Sequence, residues 1–133
     1  MRIIKKNTKN SIIEIIFTFV IFILLDSLYL SLMRDYFDNQ IQIIQGTKIN
    51  LKIYPAIICY IALVFGLYYF IISKNNSILD AFLLGIVIYS VYETTNLALI
   101  NKWTIKTAII DTLWGGILFS LTTFLIYYFI QKV

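Results

Sequence analysis

The apolar positions of the chain gather into four long runs, Ile12 to Met33, Pro55 to Ser73, Ile78 to Ile100 and Ile105 to Ile130. A helix needs about 17–25 mainly apolar residues to cross a hydrocarbon core about 30 Å thick, so every run is long enough to span. The segments between them are unequal: Lys74-Asn75-Asn76-Ser77 and Asn101-Lys102-Trp103-Thr104 read as tight helix turns, whereas Arg34 to Tyr54 is longer. Tight turns make neighbouring helices antiparallel, which predicts an up-down-up-down bundle. The first run starts after basic residues, as a signal peptide does. Its apolar stretch nevertheless continues past Asp26 to Met33 without a cleavage-type site, and a retained helix is expected. Within the long connection Asp35 and Asp38 are placed to cap a short helix, Phe37, Ile41 and Ile44 fall on one face, and Gly46 can end it. Such a helix is expected to lie flat at the membrane interface. The fold expected is all-α and integral to the membrane. It is a four-helix antiparallel transmembrane bundle with a short interfacial helix between the first and second spans, a single domain over residues 1–133 with helices at about 12–33, 55–73, 78–100 and 105–130.

Composition strengthens this and removes several chemistries. Of 133 residues, 60% are hydrophobic and 14% charged, against about 45–50% and about 25% in soluble domains, so both a water-soluble domain and a disordered chain are excluded. Four spans fill the length and leave no room for a soluble catalytic domain. There is no histidine, hence no imidazole metal or haem ligand and no histidine general base. Cys59 is the only cysteine, which precludes an internal disulfide or a CxxC pair and suggests a small buried apolar residue. Arginine occurs only at Arg2 and Arg34, both flanking apolar runs, so no guanidinium cluster awaits phosphate. The net charge of +4 is densest at Arg2, Lys5, Lys6 and Lys9, just before the first run. It reads as a topology signal or a contact with anionic headgroups, with the lipid bilayer as partner and no nucleic acid. No cofactor is implied. Arg2, Lys5, Lys6, Lys9, Lys74 and Lys132 fall on the side of the termini and Arg34, Lys48, Lys52, Lys102 and Lys106 on the other. Because the N-terminal block usually dominates, both termini are expected to be cytoplasmic.

The seven acidic residues carry the chemistry, because an ionisable group in hydrocarbon costs at least about 2.5–3.5 kcal/mol and normally faces a partner or a cavity. Glu14 follows Ser11 by three and Asp80 follows Ser77 by three, and each spacing fits a capping box. Asp35 and Asp38 belong to the connection. No cap explains Asp26, Glu93 and Asp111. Counted from the ends nearest the long connection, each lies about 10–12 Å inside the same membrane face, at 1.5 Å of rise per residue.

Their helical neighbours are polar or small. Thr18, Asp26 and Tyr29 share a stripe of the first run, and Gly85, Tyr89, Tyr92 and Asn96 surround Glu93. Thr107, Asp111, Gly115 and Thr122 share a stripe of the last. The second run adds Tyr60 on a face with Ala56 and Gly66, where small residues allow close approach of backbones. Trp103, Tyr127 and Tyr128 stand at interfacial depth and read as aromatic-belt residues. Trp114 lies one turn from Asp111, where both bundle packing and stacking on a ligand are open.

Three blocks together, Asp26-Ser27-Leu28-Tyr29-Leu30, Tyr89-Ser90-Val91-Tyr92-Glu93-Thr94-Thr95-Asn96-Leu97-Ala98 followed by Trp103, and Asp111-Thr112-Leu113-Trp114-Gly115, resemble a family of small four-helix membrane proteins. That family is catalogued as a domain of unknown function, family 2177. The resemblance covers nearly the whole chain from the first helix onward and rests on the paired patterns Y-[DE]-x-T-N-x-A and D-x-x-W-G. The family pattern favours Asp where this chain has Glu93, a difference of one methylene, and Trp where it has Tyr29. The resemblance implies the architecture and the choice of site residues, and no activity.

The candidate ligand- or ion-binding set is therefore Asp26, Glu93, Asn96, Asp111, Tyr60, Tyr92, Tyr29, Thr95 and Trp114, with Asp26, Glu93 and Asp111 as the place for a hard cation. An all-oxygen donor set suits protons or hard cations rather than soft metals. Three adjacent carboxyls in a low-dielectric core cannot all be ionised without a cation, so the set should hold a proton or a metal. Three functions fit. One is binding or movement of a cation, proton or small solute, as a small homo-oligomeric transporter or channel component. A second is structural, with the acids fixing helix register through hydrogen bonds. The third is acid-base chemistry on a lipid or isoprenoid, with Glu93 or Asp111 as proton donor, although no Ser-His pair, phosphate loop or GxGxxG accompanies it.

Overall fold

The structure is a computed structural model that describes residues 8–131. Arg2, Lys5, Lys6 and Lys132, together with the Lys9 side chain, lie outside the described residues, and so does most of the basic block read above as a topology signal. Five helices follow one another: α1 (Thr8–Leu32), α2 (Arg34–Gln45), α3 (Ile53–Leu67), α4 (Ile78–Leu99) and α5 (Ile105–Leu125). Both α3 and α5 continue into one π-helical turn, Tyr68–Ile72 and Ile126–Ile130. Among the described residues there is no strand, and four helices are long and apolar enough to cross a membrane.

Local chemistry sets the ends. Ser77 Oγ accepts the Asp80 backbone N–H at 3.0 Å and starts α4, and Thr104 Oγ1 does the same for Thr107 at 3.2 Å in α5. Helix α3 begins at Ile53, two residues before Pro55, because a proline in the first turn lacks only an N–H that would have no intrahelical acceptor. Gly46 closes α2 in the left-handed region (φ 77°), its N–H donating to the Gln42 carbonyl at 2.9 Å.

One expected cap is corrected. Helix α1 already includes Ser11 as an interior residue, so Ser11 and Glu14 form no capping box. Glu14 instead turns into the bundle at 5% exposure. There it accepts from Tyr68 Oη at 3.4 Å and from Gln131 Nε2 at 3.3 Å, groups that the two π-helical turns deliver to the same end of the bundle.

Helix α5 is the most buried span and packs against α4 on one side and α1 on the other, while α3 joins through α1 and the terminal turns. Glycines set the closest approach. A Cβ on Gly85 would collide with the Gly115 carbonyl, one on Gly115 with the Tyr89 ring, and one on Gly116 with Phe82 and Ile86. The expected small-residue approach at Gly66 does not occur, since nothing stands within 4 Å of the place its Cβ would take. Midway along the bundle the buried Phe22 packs edge-on against Tyr60 at 6.1 Å and against Phe119 at 5.6 Å.

The outer surface is apolar, with Leu24, Ile58, Phe65, Leu83, Val91 and Ile109 all exposed, as a bilayer-facing surface should be. Cys59 belongs to that surface and is exposed rather than buried. Tyr127 is also corrected. Its hydroxyl points inward and donates to the Asn76 carbonyl at 2.6 Å, tying α5 to the turn between α3 and α4, whereas Tyr128 is exposed as expected.

Candidate functional site

The site is assembled at the end of the bundle nearest α2. Asp26, on α1, is 8% exposed and accepts two hydrogen bonds, one from the Tyr60 hydroxyl of α3 and one from Trp114 Nε1 of α5 at 2.9 Å. These donors come from different helices, so a single carboxylate ties three elements together. Each satisfies a lone-pair site that burial would otherwise leave without a partner.

Glu93, on α4, is 1% exposed, the most buried of the acids. Its Oε2 accepts from Trp103 Nε1 at 2.7 Å. Asp111, on α5, is partly buried, accepts weakly from the Tyr29 hydroxyl at 3.4 Å, and stands beside the Glu93 carboxyl. Two adjacent carboxyls can hydrogen-bond to one another only when one of them carries a proton, because an ionised carboxylate is only an acceptor. Tyr29 completes the wall, its ring stacked on Trp114 at 4.5 Å with an 11° interplanar angle.

The shared depth inferred from residue counting thus corresponds to Glu93 and Asp111 side by side on α4 and α5, with Asp26 of α1 linked to them through the stacked Trp114 and Tyr29. Asp26, Glu93 and Asp111 come together with Tyr60, Tyr29 and Trp114. The remaining candidates do not join them as closely. Tyr92 is 57% exposed, packs edge-on against Trp103 at 6.4 Å, and shares a hydrogen bond with Asn96 one turn along α4. Thr95 is exposed and donates back to the Val91 carbonyl at 2.6 Å, so its hydroxyl is used within its own helix. Among the described residues, no group of three or more His, Cys, Asp or Glu side chains is arranged to hold a metal ion. The protein donors already occupying Asp26 are consistent with that.

Two participants were not anticipated. Trp103, read as a belt residue, folds back from the turn between α4 and α5 to serve Glu93; its position ten residues after Glu93 across a tight turn is the signal that was available. The other is α2. Its Tyr36 hydroxyl lies 2.8 Å from Thr107 Oγ1, and its buried Gln40 accepts from the same Thr107 hydroxyl at 3.1 Å. Phe37 packs edge-on against Tyr29 at 5.9 Å. The helix expected to lie flat at the interface rests on the carboxyl end of the bundle through its polar side chains, with Phe37, Ile41 and Ile44 half-buried.

No curated protein and no solved structure matches the chain. The model of one family, described as "Predicted membrane protein (DUF2177)", matches residues 11–128, a stretch that contains all three carboxyls, both tryptophans and every membrane-length helix core, and the chain belongs to that family.

Proposed function

We propose that the protein holds a proton within the membrane on the Glu93–Asp111 pair and passes it, as a small proton-translocating or proton-coupled membrane protein. The observation that carries this is the carboxyl–carboxyl contact inside two membrane-length helices, one partner 1% exposed. Maintaining ionisable groups at that depth is costly, and interhelical hydrogen bonds in membranes contribute only about 0.6 kcal/mol on average, which makes three carboxyls an inefficient means of fixing register. Asp26 then acts as a fixed counter-group. Its two donors hold it in place.

Oxygen ligands of this kind also suit a hard cation, but the spread of the three acids favours the proton over a metal. In this reading the termini face the cytoplasm, α2 lies along the opposite membrane surface, and copies of the chain associate through their lipid-facing surfaces. None of these three is required for the proton to be held.

The test is flux. Purified protein in liposomes loaded with a pH-sensitive dye should dissipate an imposed pH gradient faster than empty liposomes, and Glu93→Gln or Asp111→Asn should return the rate to that of empty liposomes. Variants that lower thermal stability while flux stays at the empty-liposome rate throughout, wild type included, would favour acids that only fix helix register.

A further inference from the structure

We propose that protons reach the carboxyl set from the α2 side of the membrane, along the hydroxyl and amide groups of Tyr36, Gln40, Thr104 and Thr107. This rests on the proton-holding reading and adds the route and the side. Thr107 is fully buried and stands one turn before Asp111 on α5, between that carboxyl and the end of the bundle. Its hydroxyl lies 2.8 Å from Tyr36 Oη, 2.8 Å from Thr104 Oγ1 and 3.1 Å from Gln40 Oε1, so it is a junction of three polar groups. Thr107 has one hydroxyl proton, directed at Gln40 Oε1, and since either oxygen can donate in the contacts with Tyr36 and Thr104, rotation of that proton lets the chain of O–H groups be drawn in both directions. A relay needs that property: a proton added at the outer oxygen releases another at the inner one, each O–H bond forming as the next breaks.

Gln40 supplies an independent sign that these groups serve more than packing. It is 8% exposed, yet its Nε2 donor has no acceptor. A buried amide left unpaired costs about 1–3 kcal/mol, and a water or another mobile partner is one way such a group is satisfied. From Thr107 to Asp111 the helix rises by about 6 Å, a separation of the length that one water molecule with a hydrogen bond at each end would span.

Apolar rings stand in the opposite direction, beside the buried Thr18, Thr122 and Thr123. Between Asp26 and the Glu14 end stand Phe22 and Phe119, both fully buried and in edge-on contact. The charged groups around the α2 route lie at its rim: Lys106 Nζ is 5.6 Å from the Tyr36 ring centre, Lys102 Nζ reaches the Ile43 carbonyl at 3.4 Å, and Arg34 pairs with Asp38 at 3.7 Å.

The experiment is infrared spectroscopy of the protein in liposomes on transfer to heavy water, following the deuterium shift of the protonated-carboxyl stretching band. Tyr36→Phe and Thr107→Val should each slow that shift by about tenfold, equivalent to about 1.4 kcal/mol on the barrier. Thr107→Ser, which keeps the hydroxyl, and Tyr68→Phe, at the Glu14 end, should leave it at the wild-type rate. Tyr36→Phe removes one oxygen from a half-buried ring, so a result is obtained even if Thr107→Val does not fold. Wild-type rates in Tyr36→Phe, or slowing by Tyr68→Phe, would overturn the route while leaving the proton-holding reading intact. Absence of the band from wild type would overturn that reading itself.

Discussion

Trp103 shows how much one side chain can decide. Glu93 is buried and its Oε2 depends on the indole N–H at 2.7 Å. Removing a hydrogen-bond donor from a buried charged or proton-sharing group costs about 1–3 kcal/mol, so Trp103→Phe, which keeps most of the ring packing, should destabilise the protein by about that amount in thermal unfolding from detergent. Ser77→Ala removes only a cap, and about 1 kcal/mol is expected. Residue type and spacing identified Asp26, Glu93 and Asp111 correctly as acids without a cap, because depth follows from counting along a helix. They did not reveal which way Trp103, Tyr127 or Glu14 would turn. A residue near a helix end has the same depth whether it faces lipid or the bundle, and only the packing of neighbouring helices separates the two. For Glu14 the Ser-x-x-Glu spacing was misleading for a further reason: the helix starts upstream of Ser11, so the orphan N–H groups that a capping box would satisfy are elsewhere.

Among the helices, α4 and α5 are joined by a five-residue connection and held at short range by Gly85, Gly115 and Gly116. Small residues matter more in lipid than in water, since apolar surfaces gain little there by leaving the solvent and contact distance sets the gain. Gly115→Ala should push against the Tyr89 ring and cost about 1–3 kcal/mol. Gly66→Ala meets open space inside a helix and should be neutral or stabilising by up to about 1 kcal/mol. Melting temperatures of the two variants against wild type check the contrast; equal losses at both positions would show that close approach is not what these glycines provide. The four spans were legible because run length and tight turns are one-dimensional facts. The docking of α2 was not, because its amphipathic pattern is the same whether its inner face rests on lipid or on Tyr29 and Thr107.

For the whole molecule, the bundle combines an apolar exterior with two polar ends, the carboxyl set under α2 and Glu14 with Tyr68 and Gln131 at the other, separated by Phe22 and Phe119. Four crossings place Lys74 and Lys102 at opposite ends of α4. In a Cys59→Ser background, Lys74→Cys and Lys102→Cys should therefore be labelled by an impermeant thiol reagent from opposite sides of sealed vesicles, and labelling from one side would remove the antiparallel topology. The central claim is that Glu93 and Asp111 share a proton inside this bundle, and the most direct measurement is the infrared spectrum of the native protein. A protonated-carboxyl band is predicted for wild type, lost in Glu93→Gln and in Asp111→Asn and unchanged in Asp80→Asn, whose carboxyl stands exposed in the first turn of α4. A wild-type spectrum without that band, or a band that survives both substitutions in the pair, would contradict it.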